Sequence, residues 1–74
     1  MMPLVLANIG VENLIYRVGG SPEVKKHLAD IGFVPGGMVS VVSSIGDSII
    51  VKVKEARVAI SAELARRIMV QLAL

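Results

Sequence analysis

The sequence predicts a mainly β domain: a small closed or half-closed barrel with one short inserted helix and a second helix at its C-terminus. Three observations lead there. The strand-like runs are short, closely spaced and separated by tight turn signals. With 74 residues there is too little chain for two packed layers, so residues 1–74 read as one domain. The stretch from Gly20 to Gly36 carries its own helix start and stop inside this β pattern. A chain of this size buries only about 60% of its unfolded surface. Closing the sheet protects edges that so apolar a composition would otherwise leave adhesive.

The elements follow in order. Pro3 to Gly10 ends in the turn signal Asn8-Ile9-Gly10. Val11 to Val18 alternates as a strand, which predicts Leu14, Tyr16 and Val18 on one face and Arg17 on the other. Ser21 then stands where a helix cap accepts a bond from an otherwise orphaned backbone N–H. Pro22 occupies the first helical position, where its missing N–H costs nothing. Val24, Leu28 and Ile31 recur at i, i+4 and i+7 and form one apolar stripe, while Lys25, Lys26 and Asp30 point elsewhere. Gly32 can take the conformation that ends a helix without a Cβ penalty. Phe33 follows as a buried hook, and Val34-Pro35-Gly36-Gly37 turns the chain.

Met38 to Ser43 is the next predicted strand, with Val39 and Val41 inward. Ser44 to Asp47 reads as a hairpin loop. Ser48 to Lys54 is the clearest strand, since Ile49, Val51 and Val53 alternate with Ile50, Lys52 and Lys54. A short turn at Lys54-Glu55-Ala56 leads to Arg57 to Ile60, with Val58 and Ile60 inward. Ser61 caps a final helix on which Leu64, Ala65, Ile68, Met69 and Leu72 share one face. Glu63 and Arg67 make a favourable i, i+4 pair.

Composition narrows the function. There are no cysteines, so neither disulfides nor a thiolate zinc site can stiffen the domain. Stability rests on apolar packing, and 54% of the residues are hydrophobic. That excess predicts exposed aliphatic surface and leaves room for a homodimer. The net charge is +2, but basic and acidic residues are interleaved. Tyr16 and Phe33 are the only aromatics, too few for a base-stacking platform, which argues against nucleic-acid binding. The longest uncharged run, Ile31 to Gly46, is interrupted by Pro35 and by glycines and falls short of the ~20 apolar residues of a membrane span. MMPLVLANIG has no basic n-region or cleavage-like pattern, so a cytoplasmic domain without direct membrane insertion is expected.

Gly19-Gly20, then Leu28, Ile31-Gly32-Phe33 and Pro35-Gly36 ahead of Val39 and Val41, form an ordered set. Ile49-x-Val51-x-Val53, Arg57-x-Ala59-Ile60 and Glu63-Leu64-Ala65 extend it. This pattern resembles the FeoA family, small cytoplasmic partners of the FeoB ferrous-iron permease, over nearly the whole chain. The resemblance implies an SH3-like β-barrel with an inserted helix and a C-terminal helix. Gly20, Leu28, Gly32, Phe33, Pro35 and Gly36 would be its structural motif. It also implies a non-enzymatic adaptor in ferrous iron uptake. Such a protein would bind a FeoB-type permease that carries a GTPase domain, and so lie peripherally at the inner membrane. Two positions depart from the family pattern: Glu55-Ala56 lacks the glycine often found in that turn, and His27 stands where a basic or other polar residue is usual. The same domain also ends iron- and manganese-dependent repressors, whose helix-turn-helix this chain has no room for.

Partner contact is assigned to Lys25 and Lys26 as steering charges and to Val34 as an apolar contact. The candidate metal ligands are Glu23, His27 and Asp30, spaced along the first helix; one nitrogen and two carboxylates suit Fe2+ or another divalent transition metal. A short polar helix face carries such residues without any metal, so no cofactor is required by the sequence. A metal-sensor domain is the alternative function, and a nucleic-acid barrel using Lys52 and Lys54 ranks below it. No nucleophile stands near a base, no acid–base carboxylate pair occurs, and no phosphate-binding glycine motif is present. Catalysis is therefore not expected.

Overall fold

The computed structural model describes residues 1–73. Six strands form one antiparallel sheet in the order β1-β6-β2-β3-β4-β5. They are β1 (Met2–Pro3), β2 (Asn13–Val18), β3 (Met38–Ile45), β4 (Ser48–Val53), β5 (Ala56–Ser61) and β6 (Ile68–Leu72). Helix α1 spans Pro22–Ile31, helix α2 spans Ala62–Arg66, and a single 3-10 turn covers Leu4–Leu6. The sheet curls so that α2 touches β4, β5, β6 and the 3-10 turn, plugging the gap between its two ends. This is the SH3-like barrel with two short helices that the sequence implies. Inside it lie Leu4, Ile15, Val18, Leu28, Phe33, Val39, Val51, Ile68 and Val70, with their neighbours in the same cluster.

Helix α1 follows its sequence signals closely. The Ser21 hydroxyl accepts a hydrogen bond from the Val24 N–H at 3.3 Å. At the other end the Phe33 N–H donates to the Leu28 carbonyl at 2.9 Å and the Gly32 N–H to that of Ala29 at 3.0 Å, a Schellman closure. Gly32 has φ +128°, and a Cβ there would lie 3.2 Å from Lys54 Cδ and 3.3 Å from Val53 Cγ2. Leu28 and Phe33 are fully buried, and Val24 and Ile31 pack against the core from its edge.

Three expectations give way. In β2 the inward residues are Asn13, Ile15 and Val18, while Leu14 is half-buried and Tyr16 and Arg17 are exposed. The cause is a β-bulge: Ile15 pairs with Val70 but Arg17 pairs with Met69, so Tyr16 is an extra residue and the alternation resets. The C-terminal helix ends at Arg66, and the chain returns as β6 with Ile68 and Val70 buried. The Arg67 carbonyl accepts from the Gly19 N–H at 2.7 Å, which ties the end of β2 to the start of β6 and draws the chain out of the helix. Strand β3 runs on to Ile45, so the expected four-residue loop shrinks to Gly46-Asp47.

Most of the remaining expectations about elements hold, although β2 begins at Asn13 and not at Val11, and Val58 is half-buried at the core's edge. Val39, Val41, Ile49, Val51, Val53 and Ile60 all point inward. Ser61 caps α2 by accepting from the Leu64 N–H at 3.1 Å, and Glu63 pairs with Arg67 at 3.3 Å. The β4–β5 turn is made by Lys54 and Glu55, with φ +49° and +63°. That is the geometry of a two-residue hairpin turn normally built from Asn-Gly. The aliphatic excess surfaces at Leu6, Ile9, Ile45 and Leu72.

Candidate docking cleft

The bulge in β2 builds a site. By turning both Tyr16 and Arg17 outward it sets them beside α1, where Lys25 and Ala29 lie one helical turn apart on the same face. The third wall comes from the loop after α1. Val34, Pro35, Gly36 and Gly37 form a turn closed by the Gly37 N–H donating to the Val34 carbonyl at 2.9 Å. Proline at its second position and Gly36 at φ +90° in its third meet the demands of a type II turn. The turn is locked to β2, because Ile15 N–H donates to the Gly37 carbonyl and Gly36 N–H to the Ile15 carbonyl, both at 2.8 Å.

Between these walls lies an open cleft of about 380 Å³ lined by Tyr16, Arg17, Val18, Lys25, Ala29, Phe33, Val34 and Pro35. Its floor is apolar: Phe33 and Val18 close it from the core side and Val34 is half-buried. Tyr16 is 54% exposed, an unusual posture for an aromatic in so small a domain. The charges at the rim, Arg17 and Lys25, are both positive, and among the described residues no acid lines the cleft. Among the described residues the salt bridge is Glu63–Arg67 alone, so neither rim cation is in an ion pair. A second depression of about 250 Å³ is lined by Glu12, Met38, Lys52, Lys54 and Glu55. Its acids and lysines offset one another, and Met38 is the one apolar residue among those lining it.

Of the residues assigned to partner contact, Lys25 and Val34 line the cleft, while Lys26 is exposed on α1 outside its lining. Sequence reasoning missed Tyr16, because strict alternation sends it into the core, and it put Arg17 on the outer face without assigning it to partner contact. The structural motif gathers where α1 meets the barrel: Leu28 and Phe33 inside, Gly20 and Gly32 at the two ends of the helix, Pro35-Gly36 in the turn. Glu23, His27 and Asp30 are exposed on α1. Among the described residues, no three His, Asp or Glu side chains come together to hold a metal ion. No helix among them is long and apolar enough to cross a membrane. Lys52 sits opposite Arg57 on the outer face of β4 and β5.

The small SH3-like barrel thus carries an apolar cleft with a cationic rim. The chain belongs to the FeoA family, which is associated with ferrous iron transport: the FeoA domain model matches residues 2–72. The crystal structure of an iron uptake regulatory protein, FeoA, is 30% identical, covers 95% of each chain and superposes with a TM-score of 0.87. Iron(II) transport protein A from Clostridium thermocellum is also 30% identical, with a TM-score of 0.90 over 96% of this chain and 45% of that one. Stenotrophomonas maltophilia FeoA, solved in complex with zinc and described as a prokaryotic SH3 domain protein, shares the fold at 23% identity. Its TM-score is 0.82 over 96% of this chain and 91% of that one. No curated protein sequence matches the chain.

Proposed function

We propose that this protein is a non-enzymatic accessory of ferrous iron uptake that docks on the cytoplasmic side of a FeoB-type permease through the cleft between α1 and β2. Family membership supplies the pathway. The observation that carries the docking role is the cleft itself, with an exposed tyrosine and two cations that have no ion pair among the described residues, around an apolar floor. Exposed apolar surface framed by charge is a common form for a recognition site. Among the described residues no three metal-donor side chains gather, and the docking role rests on the cleft alone.

The test is an amide-shift titration of labelled protein with the cytoplasmic GTPase domain of its cognate permease. Shifts should cluster on Tyr16, Arg17, Lys25 and Val34. The double variant Arg17→Glu/Lys25→Glu should keep a dispersed spectrum while its affinity falls on the order of tenfold, because reversing rim charges removes electrostatic steering. Unchanged affinity in that variant would remove the cleft from the interaction.

A further inference from the structure

We infer that the cleft takes an extended acidic peptide segment, one in which carboxylates flank an apolar side chain; the inference rests on the docking role proposed above. Arg17 on β2 and Lys25 on α1 stand on opposite walls. A ligand lying along the cleft therefore meets a cation from either side. Both are exposed and free of ion pairs among the described residues, so a carboxylate arriving there displaces no internal partner. Arginine offers a planar fork and lysine a mobile point charge, and each makes charge-assisted bonds to a carboxylate.

The floor decides the other half of the ligand. Ala29 and Val34 present aliphatic carbon over the buried Val18 and Phe33, and Tyr16 and Pro35 stand beside them as walls. A volume of about 380 Å³ in an open cleft accommodates a side chain or two of a passing segment. Polynucleotide is the poorer fit. Base binding needs successive aromatic platforms, and among the residues lining the cleft only Tyr16 offers an exposed ring, Phe33 being 1% exposed.

The experiment titrates the labelled full chain with synthetic octapeptides: alternating glutamate and leucine, the lysine-for-glutamate counterpart, and the serine-for-leucine counterpart. A short oligouridylate serves as the nucleic-acid probe. The glutamate–leucine peptide should shift Tyr16, Arg17, Lys25 and Val34 saturably, and its affinity should weaken several-fold as salt rises from about 0.05 to 0.2 M. The lysine peptide should leave those amides unmoved, and the serine peptide should bind at least about tenfold more weakly because the buried leucine contact is lost. Lys25→Glu should weaken the glutamate–leucine peptide by a similar factor.

Equal binding of the two charge forms, shifts centred elsewhere, no binding by about 1 mM peptide, or tighter binding of the oligouridylate would each overturn the inference. The permease domain, run separately, keeps the two ideas apart. If it shifts the cleft but the glutamate–leucine peptide does not bind there, docking stands and the acidic segment falls. If the peptides behave as expected and the domain leaves the cleft unmoved, the ligand chemistry stands and the permease role falls.

Discussion

Gly32 shows how closely one residue can tie a helix to a barrel. Its φ of +128° lies where side chains are strained, and the space a Cβ would fill is bounded by Lys54 and by Val53 of β4. Gly32→Ala should therefore cost about 1–3 kcal/mol. At about 4–8 °C per kcal/mol for a domain of this size, a thermal melt resolves that loss; an unchanged midpoint would mean the α1–β4 junction gives way freely. Asn13 is the buried polar exception. Its amide nitrogen donates to the Val11 carbonyl at 3.0 Å, while its side-chain oxygen is buried without a partner. In Asn13→Asp a carboxylate would sit in this dry place facing a carbonyl, which raises its folded-state pKa above the unfolded value of about 3.9. The protonated acid can still donate to Val11, so the penalty is small at low pH. It should grow to on the order of 3 kcal/mol as pH rises through the folded pKa. Denaturant melts of the variant and parent across pH 3–7 would check the sign, and a gap independent of pH would contradict it.

At the scale of elements, what could be read in advance depended on how local the signals were. Helix α1 was legible because cap, first-turn proline, apolar stripe and glycine stop all lie within a dozen residues and agree. Strand β6 was not. Leu64, Ile68 and Leu72 satisfy a helical stripe, while Ile68 and Val70 satisfy alternation equally well, and no glycine or proline marks a break. Only the vacancy between β1 and β2 decides, and that belongs to the assembled sheet. The candidate site shared this fate in part: its lysine and its valine were recognisable on or beside the helix and Arg17 on the outer face of its strand, but the outward turn of Tyr16 goes with a bulge that leaves no mark in composition. The β4–β5 turn lies between these cases, since the missing glycine was visible and its consequence was not. Lys54 and Glu55 both hold left-handed backbone, at roughly 1–2 kcal/mol for a residue with a Cβ. Glu55→Gly removes that strain, and greater freedom in the unfolded chain offsets about 0.5–1 kcal/mol of the gain. A net stabilisation of about 0.5–1 kcal/mol should appear as a higher melting temperature; a lower one would mean that the Glu55 side chain stabilises the hairpin.

For the whole molecule, one core serves every element. Ile68 from β6, Leu28 from α1 and Leu4 from the 3-10 turn belong to the same buried cluster, so no part has an interior of its own. Total stability for a chain of this length is on the order of 4–11 kcal/mol, and Ile68→Ala should remove about 2–5 kcal/mol of it. Loss of β-sheet by circular dichroism and the change in emission of Tyr16, the single tyrosine, should still trace one transition. Separate midpoints would mean that the cleft melts apart from the barrel. The bulge at Tyr16 has a further consequence for how such a protein diversifies. Tyr16 and Arg17 face outward from a strand whose inward neighbours are held by the interior, so their identities answer to whatever occupies the cleft and to little else. A lineage could retarget the domain by altering those codons while the barrel stays as it is, and relatives that keep the fold are free to differ in what they recognise.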